Sequence, residues 1–113
     1  MNVLFVSSEV YPLIKTGGLA DVSGSLPRAL LQLKQDVRIL VPAYQSLLAK
    51  VTNVREVAHT QHYGYGVRIL QTTLPSSRVK VLLVDCPALF ERPGNPYLDS
   101  TGVEWQDNAL RFA

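Results

Sequence analysis

Lys15-Thr16-Gly17-Gly18-Leu19-Ala20-Asp21 puts a mobile positive charge, a pair of adjacent glycines and a carboxylate into one short stretch. Residues of these types handle anions. A glycine backbone has no Cβ, so a phosphate or sugar can approach the main chain closely, and a lysine ammonium supplies a point charge beside it. The plainer reading is a sharp Gly-Gly turn with Lys15 in solvent. Glu9 and Asp21 bracket the glycines, so both carboxylates can face one pocket and orient sugar hydroxyls by accepting hydrogen bonds. Each also has a simpler reading that the local sequence leaves open. Asp21 is then a first-turn residue favoured by the positive end of a helix dipole, and Glu9 a solvated loop residue. Tyr97, beside Asn95-Pro96, either stacks on a sugar ring or anchors its own loop by packing. Asp85 stands at the end of an apolar run, either at a ligand-carrying sheet edge or as a turn-forming residue.

The elements that must position these groups follow from hydrophobic patterning. Asn2-Val3-Leu4-Phe5-Val6-Ser7 is short and nearly all apolar, the pattern of a parallel strand buried on both faces. From Leu19 the apolar residues recur at Val22, Leu26, Ala29, Leu30 and Leu33, which line one side of a helix reaching about Lys34. Strand, glycine loop and helix open a βαβ unit, whose loop leaves the carboxyl end of the strand, where open α/β sheets bind ligands. Pro27 lies inside that helix and either kinks it or divides it. Val37 to Val41 predicts a second strand, parallel to the first by right-handed crossover and stopped by Pro42. Gln45 to Lys50 predicts a short helical turn. Val54 to Thr60 and Val67 to Thr73 predict strands joined through Tyr63-Gly64-Tyr65-Gly66, and Val79 to Val84 a further buried strand. Ala88 to Val103 reads as an ordered surface loop, and a last helix starts near Glu104. That helix runs into Ala113 with no cap, no glycine and no polar tail, so the chain is expected to be cut within a larger protein.

Composition excludes several classes. The formal charge of +2 arises from 11 basic and 9 acidic residues. The basic ones are scattered singly, which gives no footprint for nucleic acid or an anionic membrane. A single cysteine, no signal-peptide pattern and no long apolar run suit a cytoplasmic protein, with Cys86 a buried structural residue. The glycines are adjacent rather than spaced as Gly-x-Gly-x-x-Gly, and the second strand ends in Pro42-Ala43-Tyr44 without an acidic residue for a ribose, so a nicotinamide fold is disfavoured. Lys15 precedes the glycines, which fails the Walker pattern. His59 and His62 lack metal-ligand neighbours and read as surface residues flanking a hairpin.

Lys15 to Val22, followed by Gly24-Ser25-Leu26-Pro27-Arg28-Ala29-Leu30, closely resembles the N-terminal signature of bacterial glycogen synthases and plant starch synthases. Ser8-Glu9 and Pro12 match upstream. Asp85, Pro87, Leu89-Phe90, Arg92, Asn95-Pro96-Tyr97 and Asp107 to Ala113 match downstream in the same order, whereas Ala43 to Ser77 carries no family string. Cys86 and Glu91 depart from the commoner residues, away from the proposed site. The resemblance implies an α/β, Rossmann-like, mostly parallel sheet with flanking helices. Residues 1–113 would form part of the N-terminal domain of a two-domain GT-B glycosyltransferase.

It further implies retaining transfer of glucose from ADP-glucose to the non-reducing end of an α-1,4-glucan, without a metal or other cofactor. By carry-over Lys15, Gly17 and Gly18 bind the donor, while Glu9, Asp21 and Tyr97 are sugar or acceptor contacts. The catalytic residues are expected beyond residue 113, in a partner C-terminal domain. Two rivals stay open: another retaining glycosyltransferase of the same architecture, and a non-catalytic glucan-binding module.

Overall fold

The computed structural model describes residues 1–113. In chain order the elements are β1 (Asn2–Val6), α1 (Gly18–Gln32), β2 (Asp36–Pro42), α2 (Gln45–Leu48), β3 (Arg55–His62), β4 (Tyr65–Thr73), β5 (Lys80–Asp85), α3 (Pro87–Phe90) and α4 (Asn108–Phe112). They build one five-stranded sheet in the order β1-β2-β5-β4-β3. β1, β2 and β5 run parallel, β4 is antiparallel to β5, and β3 reverses again, so β4 alone opposes the common direction. The mostly parallel α/β sheet expected from the sequence is therefore present.

Register decides where the core sits. Phe5 stands opposite Ile39, Ile39 opposite Val81 and Val81 opposite Thr72, while Val41, Leu83 and Leu70 form the next row on the same face. Ile39, Val41, Val81 and Leu83 are fully buried there under Val10, Leu13 and Ile14 of the loop after β1 and Leu47 of α2. The other face carries Leu4 and Val6, which are 56% and 55% exposed. Within residues 1–113, β1 is thus an edge strand buried on one face, where its composition suggests burial on both. An apolar run records β propensity, but not the position of the strand in the sheet.

Helix α1 departs from expectation in a more instructive way. Its period is as expected, but Leu19, Val22, Leu26 and Leu33 are exposed, and Ala20, Ser23 and Pro27 are the buried residues. The helix packs through its small side, which permits a closer approach than leucines would. The Ser7 and Ser23 hydroxyls hydrogen bond at 2.9 Å, and Tyr11 N–H donates to the Ala20 carbonyl at 3.0 Å. A Cβ on Gly24 would lie 2.8 Å from the Tyr11 carbonyl oxygen, so that position admits glycine alone without movement. Pro27 does not divide the helix, which is continuous from Gly18 to Gln32. It ends with Lys34 in the left-handed region at φ 60°, where Lys34 N–H bonds the Leu31 carbonyl and Gln35 N–H that of Leu30. This is the double hydrogen bond that ordinarily recruits glycine to stop a helix.

The β3–β4 hairpin extends to the two residues Tyr63 and Gly64, both at positive φ, as a two-residue turn between twisted strands requires. Every residue of β3 is exposed, His59 and His62 among them. Cys86 is buried. The expected loop from Ala88 to Val103 contains part of α3. The last helix starts at Asn108 rather than near Glu104, because Glu104 bridges Leu98 and Trp105 N–H donates to the Tyr97 carbonyl. Backbone groups bound across a loop cannot also enter a helix.

These packing assignments predict that Leu83→Ala in the central strand costs about 2–5 kcal/mol. Leu26→Ala on α1 should cost well under about 1 kcal/mol. Urea unfolding of the two variants checks the difference; equal losses would mean that the leucine side of α1 is the packed one.

Candidate functional site

The carboxyl ends of β1, β2 and β5 lie side by side, and the chain leaving them supplies the candidate site. Ser7, Ser8 and Glu9 follow β1, Tyr44 follows β2, and Cys86 with α3 follows β5. A cleft of about 450 Å³ opens here, with Phe5, Ser8, Leu19, Tyr44, Arg92 and Tyr97 among its lining. Lys15, Gly17, Gly18 and Asp21 stand outside that lining. The cleft touches the glycine loop only through Leu19.

Glu9 is the unexpected member. Its side chain is 1% exposed, so the solvated-loop reading fails. The Oε2 atom accepts from Thr16 N–H at 3.2 Å and from Thr16 Oγ1 at 2.5 Å, while Oε1 accepts from Ala20 N–H at 3.0 Å. A buried carboxylate is tolerable only with such donors, and the positive end of α1 adds to them. Gly17 is the N-cap of α1 and has no side chain to cap with. Glu9 fills that role from seven residues before Thr16.

Lys15 and Asp21 form an ion pair, with Nζ at 2.9 and 2.8 Å from the two carboxylate oxygens. Both side chains are about half exposed. The Asp21 hydrogen bond raises the Lys15 pKa above its ordinary value. Gly17 has φ −161°, an extended conformation open to any residue, and a Cβ on Gly17 or Gly18 would meet nothing within 4 Å. Neither backbone strain nor internal packing demands glycine at either position.

Tyr97 joins the site through Ser8, their hydroxyls lying 2.6 Å apart. Burial raises the Tyr97 pKa, against the lowering effect of the Ser8 hydrogen bond. Its loop is held by Asn95 Oδ1, which accepts from the N–H groups of Tyr97 and Leu98 at 2.8 Å each. Gly94 has φ 101°, and a side chain there would collide with the Leu98 carbonyl. Behind this loop Arg92 donates to Asp107 at 2.9 Å and also to Asn108, lies 3.9 Å from the Trp105 ring centre, and Arg111 donates to Asp107 as well. Asp85 is buried and accepts from Arg68 Nε at 2.9 Å, so it is a cross-strand ion-pair partner.

The structure therefore gathers Glu9, Lys15, Gly17, Gly18 and Asp21 around one loop and brings Tyr97 beside it through Ser8. Thr16, Ser8, Arg92 and Asp107 complete the arrangement, and the sequence reading did not assign them a part. Thr16 sits inside the glycine string, where a hydroxyl next to two glycines was the available signal. Arg92 and Asp107 meet only through tertiary folding.

A parallel sheet with a glycine loop and helix start at its carboxyl edge defines a ligand-binding α/β domain. A family model for the starch synthase catalytic domain matches residues 2–113, and the chain belongs to that family. Among curated relatives, a glycogen synthase of Thioalkalivibrio sulfidiphilus is 56% identical over 99% of this chain and 24% of its own length. One of Paramagnetospirillum magneticum is 54% identical over 100% of the chain and 24% of its own. The chain thus spans about a quarter of the length of the curated relatives it matches. Among solved structures, the catalytic domain of starch synthase IV from Arabidopsis thaliana, bound to ADP and acarbose, superposes with TM-score 0.75 at 24% identity. That match covers 97% of this chain and 22% of the plant chain, and it establishes the shared fold. No helix is long and apolar enough to cross a membrane.

The ion pairs on Asp107 give a pH prediction. Hydrogen bonds from Arg111 and Arg92 lower its pKa from 3.8 to about 2. A depressed carboxyl pKa contributes stability that is complete above the unfolded value and disappears as pH falls through the folded one. Asp107→Asn should therefore destabilise equally at about pH 7 and about pH 5, with the difference from the parent vanishing between about pH 4 and about pH 2. Denaturant midpoints across that range check it.

Proposed function

We propose that this chain supplies the donor-side loop of an enzyme that transfers glucose from ADP-glucose to the non-reducing end of an α-1,4-glucan with retention of configuration. The observation that carries the reading is the glycine pair, which neither conformation nor packing within the chain requires. Space kept clear of Cβ atoms beside a helix start suits a diphosphate, because unpaired N–H groups and the positive dipole end meet its charge. The names of the relatives support glycogen synthesis, and the plant structure that shares the fold holds ADP together with acarbose.

On this reading Lys15 leaves Asp21 for the diphosphate and offsets the negative charge that grows as ADP departs. Charge stabilisation of this kind is commonly a large catalytic contribution. Asp21, released from the lysine, is then available to a sugar hydroxyl. Tyr97, in the lining of the cleft beside the loop, takes the acceptor side. No metal is invoked, since Lys15 and the backbone donors take the role that a cation would have. The acid, base or nucleophile of the reaction belongs to residues beyond 113, in a second domain facing this one, and the setting is the cytoplasm.

The test is glucose transfer from ADP-glucose to glycogen by the product of the uninterrupted gene, with the 113-residue chain assayed alongside. Transfer by the longer protein alone is the expected result, and absence of transfer by both would remove the reading. In the longer protein Lys15→Ala should lower kcat/KM for ADP-glucose by about tenfold or more. Its KM for glycogen should stay within about twofold, because uniform acceptor binding is untouched. Equal loss on both substrates would contradict the role given to Lys15.

A further inference from the structure

We infer that Glu9 is the positioning residue of the glycine loop and makes no contact with sugar; the inference rests on the functional reading above and adds to it how the diphosphate site is held in shape. The carboxylate is buried, yet no lysine, arginine or histidine pairs with it. It is satisfied by uncharged donors from Thr16 and Ala20, with the Tyr97 hydroxyl close by. Thr16 and Ala20 are the neighbours on either side of Gly17, Gly18 and Leu19. The N–H groups of these three make no hydrogen bond within the protein, as expected for an N-cap and the first two residues of a helix.

The pattern is a frame. Glu9 takes the flanking donors on both sides and leaves the three between them for an outside acceptor. The Glu9 carboxyl already joins the two ends of the loop, so the loop keeps its shape without ligand and does not collapse onto its own donors. Preorganised donors of this kind bind a charge without the cost of reorganising at each turnover. The root of the carboxylate is rigid as well. Ser7, whose hydroxyl donates to the Glu9 carbonyl at 2.8 Å, also bonds Ser23 of α1, and Val10 exchanges both backbone hydrogen bonds with Ile14 at 3.1 and 2.9 Å. A side chain fixed at both flanks and 1% exposed presents no oxygen surface to a sugar hydroxyl.

The decisive variant is Glu9→Gln, which keeps shape and burial. One oxygen becomes an NH₂, and both oxygens of Glu9 face N–H donors, so the amide must set a donor against a donor whichever way it turns. The effect is read by titration calorimetry of ADP, and separately of a maltooligosaccharide, on the product of the uninterrupted gene. ADP carries no glucose, so a Glu9 that contacts the glucosyl or acceptor unit would leave its affinity unchanged.

Positioning predicts that Glu9→Gln weakens ADP by about tenfold or more while maltooligosaccharide affinity stays within about twofold. Thr16→Val removes the hydroxyl bond to Glu9 and keeps the side-chain shape, and should weaken ADP in the same direction by roughly threefold to tenfold. Wild-type ADP affinity in Glu9→Gln overturns the inference, as does a parallel loss of both ligands. Should Glu9→Gln fail to fold, unchanged ADP binding by Thr16→Val overturns it. Failure of the parent protein itself to bind ADP would instead overturn the functional reading on which the inference stands.

Discussion

A buried carboxylate without a cationic partner constrains everything around it. The Glu9 carboxyl is 1% exposed, and its oxygens find partners only because Thr16 and the first turn of α1 deliver their hydrogen-bond donors to it. Those donors are in place only if α1 begins at Gly18 and lies against the segment leaving β1. The small residues Ala20, Ser23 and Gly24 permit that approach, and the Tyr11–Ala20 and Ser7–Ser23 hydrogen bonds hold it. The loop conformation, the start of the helix and the docking of the helix are therefore one problem with one solution.

The sheet supplies the remaining geometry. Because β1, β2 and β5 are parallel and adjacent, their carboxyl ends bring Glu9, Tyr44 and α3 to one edge. The long segment after α3 returns to that edge and places the Tyr97 hydroxyl on Ser8, directly before Glu9 in the chain. Arg92, Asp107 and Arg111 fasten the segment from behind through charged hydrogen bonds. Two distant parts of the chain meet at consecutive residues, which ties Tyr97 to the glycine loop.

Much of this was legible in the sequence, for identifiable reasons. Strands β2, β4 and β5 and the hairpin showed themselves because alternation and turn residues are local signals. The glycine loop, its lysine and its place after the first strand were readable for the same reason, and the eight-residue string pointed to the family. The packed side of α1 was not readable, because Ala20, Ser23 and Pro27 carry little hydrophobic signal while Leu19, Val22 and Leu26 carry a strong one. The edge position of β1 was hidden because strand order is a property of the whole sheet. Burial of Glu9 arises from a fold-back of the chain, and the Arg92–Asp107 pair spans fifteen residues of irregular backbone, so neither leaves a periodic trace.

Amide hydrogen exchange resolved along residues 16–20 of the full gene product, with and without ADP, tests the central claim most directly. The account predicts slow exchange at Thr16 and Ala20 in the free protein, faster exchange at Gly17, Gly18 and Leu19, and slowing of those three when ADP binds. Uniform exchange across the five amides, or no response of the middle three to ADP, would contradict it.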